Sequence, residues 1–232
     1  MDTVKAHFEE EAQEFDEIIL KLIPHYLEMI DSMISSIPFD RSKPINVIDL
    51  GCGTGTISLK VKEAFPNAKI KCLDLAEKMI EMSKLKLQAF DGIRYEVGNF
   101  DTFQFQDRYD VVVSSLALHH IVSDNDKIHF YQKIYDALLP SGIFLNADVV
   151  LASSDTLQST YLSKWKSFML QSVSSDEIDN KWLPKYREED SPAKLMSQID
   201  WLKDLGFVNI DVIWKYYNFA VYGGSKPANV KQ

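Results

Sequence analysis

Apolar positions recur along the chain with two different periods. Over residues 5–23, Phe8, Ala12, Phe15, Ile19 and Leu22 fall at helical spacing and predict an amphipathic helix that Pro24 interrupts. A second helical face follows with Tyr26, Ile30, Met33 and Ile37, closed by Pro38, and Ser36 to Pro44 reads as a linker. From there short apolar runs alternate with helical patterns. The predicted strands are Ile45 to Leu50, Lys69 to Leu73, Ile93 to Val97, Tyr109 to Ser114 and Ile143 to Val150. The helices between them are Thr56 to Phe65, Ala76 to Phe90 and Asp126 to Leu139, the last stopped by Pro140-Ser141-Gly142.

Strands and helices at this spacing predict an α/β fold: a Rossmann-like, mostly parallel sheet with helices on both faces. The rhythm breaks after Leu151. Residues 153–190 are Ser-rich and charged, yet hold Tyr161, Trp165, Phe168, Met169, Trp182 and Tyr186, which reads as a helical insertion lying over the site. Helix Pro192 to Leu205, capped by Gly206, precedes an antiparallel pair, Phe207 to Trp214 and Tyr216 to Tyr222, bringing the sheet to seven strands. The expected organisation is one domain in four parts: a helical preface (1–40), a core (41–151), a helical lid (152–190) and a closing helix and strand pair (191–232).

Composition narrows the class. With 46% hydrophobic and 25% charged residues the chain is an ordinary globular one. No apolar run approaches the ~20 residues of a membrane span, and the N-terminus lacks the basic and apolar regions of a signal peptide. The two cysteines, Cys52 and Cys72, are too few for a disulfide framework, so both are expected to be reduced and the protein cytoplasmic. The net charge is −9; residues 1–40 hold ten acidic residues against Lys5 and Lys21 and carry most of it. Glu9, Glu10, Glu11 and Glu14 read as a solvated helix face. No basic stripe is present, which disfavours a nucleic-acid surface.

The chemistry concentrates where the first strand ends. Val47 to Gly55 reads Val-Ile-Asp-Leu-Gly-Cys-Gly-Thr-Gly, with glycines at 51, 53 and 55 before a helix. A turn of this kind lets a ligand approach the backbone closely. The dinucleotide fingerprint would place its third glycine at position 56, which is Thr. Asp49 would repel a phosphate and suits a cationic ligand, an ammonium or sulfonium. Asp74, at the end of the second strand, can accept both hydroxyls of a ribose; alternatively Asp74-x-x-Glu77 forms a capping box. His119 and His120 stand at the mouth of the fourth strand, where either can touch a substrate or serve as a buried structural histidine. His129 reads as a surface residue. A His-His pair without further spaced ligands falls short of a metal site. Asp148, in the fifth strand, either lines an acceptor pocket or caps the strand.

Asp49 to Gly55, Asp74-Leu75-Ala76-Glu77-Lys78-Met79, Asn99-Phe100-Asp101 and Tyr109 to Ser114 followed by Leu118-His119-His120 resemble, in this order, the motifs of the class I S-adenosylmethionine-dependent methyltransferases. The resemblance covers roughly residues 40–150, and the closing strand pair fits that family's last hairpin. It implies the cofactor S-adenosyl-L-methionine, with S-adenosyl-L-homocysteine as product. It implies that Gly51, Gly53 and Gly55 form the turn against the methionine part, with Asp49 near its ammonium. Asp74 would hold the ribose, Leu75 and Met79 would flank the adenine, and Asn99 and Phe100 would meet its edge and ring. Ser115 and Leu116 would border the sulfonium. Ile23-Pro24-His25-Tyr26 and Tyr216-Tyr217-Asn218-Phe219 further resemble the carboxy-S-adenosylmethionine synthase branch, where the tyrosine corresponding to Tyr26 reaches the cofactor's amino-acid end. That branch needs an arginine for an extra carboxylate, and the insertion offers only Arg187.

Methyl transfer is an in-line displacement in which positioning supplies much of the acceleration, with His119 and His120 the candidate catalytic residues. The Asn-Pro-Pro-Tyr motif that grips a flipped base is replaced by Ser114-Ser115-Leu116-Ala117, which with the acidic charge argues against nucleic acid. The expectation is a small-molecule, partly apolar acceptor under an aromatic lid. Two alternatives stand beside it: an enzyme that makes or uses a carboxylated cofactor, and a non-catalytic cofactor-binding module. A homodimer through the insertion is left open.

Overall fold

The computed structural model describes Lys5, Ala6, Phe8 and residues 14–229. Ala12 and Glu9 to Glu11, which the sequence assigns to the first helix, lie outside the described residues. The elements in order are α1 (Phe15–Leu22), α2 (Tyr26–Ser35), β1 (Asn46–Leu50), α3 (Thr56–Ala64), β2 (Lys69–Asp74), α4 (Glu77–Lys86), β3 (Ile93–Val97) and β4 (Tyr109–Ser115). Then come α5 (Asp124–Ala137), β5 (Leu138–Val149), α6 (Asp155–Met169), a helical run α7 (175–189), α8 (Leu195–Asp204), β6 (Val208–Tyr216) and β7 (Phe219–Ser225).

All seven strands join one sheet in the order β3-β2-β1-β4-β5-β7-β6. The first five run parallel; β7 enters antiparallel between β5 and β6, the hairpin expected from the alternating C-terminus. Strand residues alternate between two cores, as a period of two requires. Val47, Val111, Val113 and Leu145 face the α1–α4 side together with the insertion. Ile48, Leu50, Val112 and Phe144 face α5 and α8. No helix among the described residues is long and apolar enough to cross a membrane.

Several boundaries differ from the sequence reading, four of them for a clear local reason. Helix α4 ends at Lys86 rather than Phe90, because Leu87 to Phe90 close as a turn in which Phe90 N–H donates to Leu87 O. Helix α5 starts two residues early, since Ser123 caps it by accepting from Asp126 N–H at 3.1 Å. Strand β5 starts at Leu138, not Ile143: Pro140-Ser141-Gly142 is an irregularity inside the strand, with the register resuming at Val111 opposite Ile143. Helix α8 likewise begins at Leu195, because Lys194 is still bridged to Leu151 in an extended conformation.

Candidate active site

The sheet order reverses between β1 and β4, and the segments after these strands open side by side at its carboxyl edge, where open α/β sheets leave a crevice. The turn after β1 is held from below: Gly51 N–H and Cys52 N–H both donate to Leu73 O, at 2.8 and 2.9 Å. Gly51 has φ +72°, and a Cβ there would stand 2.3 Å from Ala117 Cβ on the loop after β4. At Gly53 a Cβ would meet only the edge of Phe15, 4.0 Å away, and would project into open space. Gly55 is a packing glycine, since a Cβ would press on Ser83 Oγ of α4 at 2.5 Å.

This turn bounds a cavity of about 800 Å³. Its wall brings together ten of the residues singled out from the sequence: Tyr26, Gly51, Gly53, Asp74, Leu75, Met79, Asn99, Phe100, Ser115 and Leu116. Asp49 and Gly55 are not in that wall. Asp49 lies beneath the turn, fully buried, with Oδ2 accepting from Ser58 Oγ at 2.7 Å and Oδ1 without a hydrogen-bond partner. Burial pushes its carboxyl up to about 7. Asp74 stands two residues before Ala76, which takes the N-cap position of α4. Its Oδ1 accepts from Ala76 N–H at the start of α4, at 2.9 Å; its Oδ2 accepts from Gly53 N–H at 2.8 Å; and the residue lines the cavity. Leu116 has φ +50°, a conformation bulky residues rarely adopt, and borders this cavity and a second one.

Helix α1 closes the first cavity through Phe15 and Ile19. Asp16 fastens it to the turn, accepting from Thr54 Oγ1 and Lys86 Nζ at 2.6 Å each. Burial raises the Asp16 carboxyl, but these bonds outweigh it and hold it below the ordinary range. The charge of Asp16 is thus spent on Lys86 and not on a ligand. Cys52 and Cys72 are buried and unbridged.

The second cavity, about 810 Å³, adjoins the first, and Phe8, Phe15, Ile19, Leu116 and His120 belong to both walls. Trp165 and Met169 of α6, Trp182 and Tyr186 of α7, and Phe219 supply its apolar lining. Side chains of the insertion thus form one wall of this second cavity. Trp165 is fixed at three points: its indole N–H donates to Leu22 O at 2.7 Å, and its ring meets Tyr186 and Phe219 edge-on.

Polar groups gather at one end. His119 Nδ1 is 2.5 Å from Asp148 Oδ1, and His119 Nε2 is 3.4 Å from Asp190 Oδ1. Asp148 is anchored in turn, accepting from His119 N–H, Val149 N–H and Asn146 Nδ2. Burial alone would lower the His119 imidazole, but the two carboxylates hold it up at about 10. His120, 4.1 Å away between ring centroids, is pushed down to about 4 by burial and by the charge of His119. Asp148 is thus not in the cavity wall; it holds the strand end through Val149 N–H and supports His119 from behind. His129 is exposed, as expected. Sequence reasoning missed Asp190, which stands on a loop 71 residues beyond His119. One signal was present: an aspartate inside a buried strand demands a partner, and Asp148 sits there.

Residues 47–142 match the family described as methyltransferase domain. The chain is 26% identical over 215 residues to carboxy-S-adenosyl-L-methionine synthase of Nautilia profundicola, covering 92% of this chain and 91% of that protein. A malonyl-[acyl-carrier protein] O-methyltransferase of Ilyobacter polytropus is 28% identical over 142 residues, 61% of this chain and 52% of the relative. Among solved structures, the DhpI–SAM–HEP complex superposes with a TM-score of 0.64 at 14% identity, covering 96% of this chain and 95% of that one, which is a likeness of fold. The ordered motifs, the sheet and these matches together support a class I S-adenosylmethionine-dependent methyltransferase near the carboxy-S-adenosyl-L-methionine synthase branch.

Proposed function

We propose that the chain moves the methyl group of S-adenosylmethionine to a small acceptor with an apolar body, seated in the second cavity. The observation that carries this reading is the shared wall: Leu116 and His120 border both cavities, so a donor in one and an acceptor in the other meet there. The residues of the first cavity fit the cofactor. Asp74 brings a carboxylate to the cavity wall, the group suited to accept ribose hydroxyls. Leu75, Met79 and Phe100 form an apolar slot suited to an adenine ring. The open space above Gly53 admits the amino-acid end, and Asp49 beneath the turn contributes negative charge toward an ammonium. Bound there, the cofactor supplies an electrophilic methyl group on a sulfonium. The protein's share is orientation and the exclusion of water by Phe15, Ile19 and Trp165.

A carboxylated cofactor is the second reading, favoured by relatives of that name matching over about 90% of the chain. Against it, neither cavity has an arginine in its wall among the described residues, and Arg187 is exposed on α7. Mass spectrometry of the copurifying ligand separates the two, since an added carboxylate changes the mass. For the main reading, S-adenosylmethionine binds by calorimetry and Asp74→Asn weakens it roughly 10- to 100-fold, the worth of a hydrogen bond to a charged group. Unchanged affinity in that variant rejects the site. Screening of small apolar acceptors for S-adenosylhomocysteine release then tests turnover.

A further inference from the structure

The polar end of the second cavity has a use that methyl transfer does not require. His119, His120 and Asp190 each present one ligand atom, and these atoms all lie within 4.8 Å of one another. Asp190 Oδ1 is 3.4 Å from His119 Nε2 and 3.6 Å from His120 Nδ1. Ligands at zinc distances around a tetrahedral ion stand roughly 3.3 Å apart, so Asp190 is already at ligand spacing from both histidines, and the histidine atoms, within 4.8 Å, close on the ion. The sequence lacked a third ligand beside the histidine pair, and the fold brings one.

Three further observations point the same way. Asp148 takes the far nitrogen of His119, leaving Nε2 directed at Asp190; a carboxylate behind a histidine is the support that metal-bound histidines characteristically have. The loop carrying Asp190 is tied to the histidine itself, since Ser191 N–H donates to His119 O at 3.0 Å. And all three side chains line the second cavity, which leaves a coordination position open toward an acceptor.

We propose that His119, His120 and Asp190 bind one divalent first-row metal ion at the head of the second cavity. Two imidazoles and one carboxylate with an open face suit zinc, and also iron(II) or manganese(II). The ion takes the place of the proton that His119 Nε2 otherwise shares with Asp190, and that proton leaves to solvent.

The test is calorimetric titration of the chelator-treated full chain with zinc chloride, with manganese chloride as a second probe. One equivalent of zinc is expected, and His120→Asn and Asp190→Asn each weaken binding at least about 10-fold. Asp148→Asn, which acts through His119, weakens it about 10- to 100-fold. His129→Asn, on the exposed face of α5, leaves it unchanged. Failure to bind zinc, or binding that survives both ligand substitutions, overturns the proposal. Should a variant fail to fold, visible absorption of the unmodified chain titrated with cobalt(II) decides the matter: ligand-field bands in the visible support an inner-sphere site, and their absence rejects it. Cofactor affinity is measured on the same metal-free sample. A chain that binds S-adenosylmethionine but no metal rejects only this inference, and the converse rejects only the methyl-transfer reading.

Discussion

The two cavities are built in opposite ways. The first is mainly backbone and near neighbours in sequence: the turn at 51–56, the strand end and helix start at 74–79, residues 98–100, and the loop at 115–117. The second is mainly side chains from distant elements, with Phe15, Trp165, Trp182, Asp190 and Phe219 converging from five segments. A backbone-built cavity tolerates almost no change at its glycines and demands one ligand shape. A side-chain-built cavity can be recut residue by residue, which is how one fold accommodates different acceptors beside a single cofactor.

The sharpest way to break this contrast is at Gly51. Gly51→Ala drives a Cβ into Ala117 and holds an L-residue at φ +72°. Cofactor affinity is expected to fall at least about 100-fold, a loss near 3 kcal/mol, by calorimetry. Binding within a few-fold of the parent would show that the turn is not the rigid half.

Next in size is Trp165→Ala, which removes a buried ring and its hydrogen bond to Leu22 O. Because one side of the ring faces a cavity, the cost lies at the lower end for such truncations, about 3 kcal/mol, or a fall in Tm of about 6–12 °C. Cofactor affinity should stay within about 3-fold of the parent while acceptor turnover is lost. Equal damage to both would mean that the cavities are one unit.

The smallest effect, read one pH unit at a time, is a pH dependence. Burial raises the folded-state Asp49 carboxyl to about 7, above its ordinary value near 3.8. A carboxyl raised on folding favours the native state at low pH, so this group's stabilisation is complete below about pH 4 and is lost as pH rises to 7. The slope is at most about 1.4 kcal/mol per pH unit. Asp49→Asn should remove it, seen as a flatter Tm profile between pH 5 and 7. An unchanged profile would mean that Asp49 is ionised throughout.

Legibility in the sequence follows the same division. Every strand was recognisable, because alternating apolar residues bounded by Gly, Pro and Asp carry their own signal. The first cavity was readable for the same reason: its residues sit within a few positions of the strand ends that aim them. That Asp49 and Gly55 lie outside the cavity wall was not legible, since spacing does not say which side of a turn faces open space. The second cavity was legible only as an aromatic insertion. Nothing local links Asp190 to His119, and only the awkward presence of Asn146 and Asp148 in a buried strand hinted at partners. Both found them, Asp148 in His119 and Asn146 in the hydroxyl of Tyr222 at 2.8 Å.

Helix α1 stands in both walls through Phe15 and Ile19, and it is moored by the Asp16–Lys86 pair at one end and by Trp165 against Leu22 at the other. Entry and departure of the two ligands are therefore not independent events. Loosening the Asp16–Lys86 mooring, beside the cofactor turn, frees Phe15 from both walls at once, so that one pair bears on the tempo of turnover and on the leakiness of the empty protein.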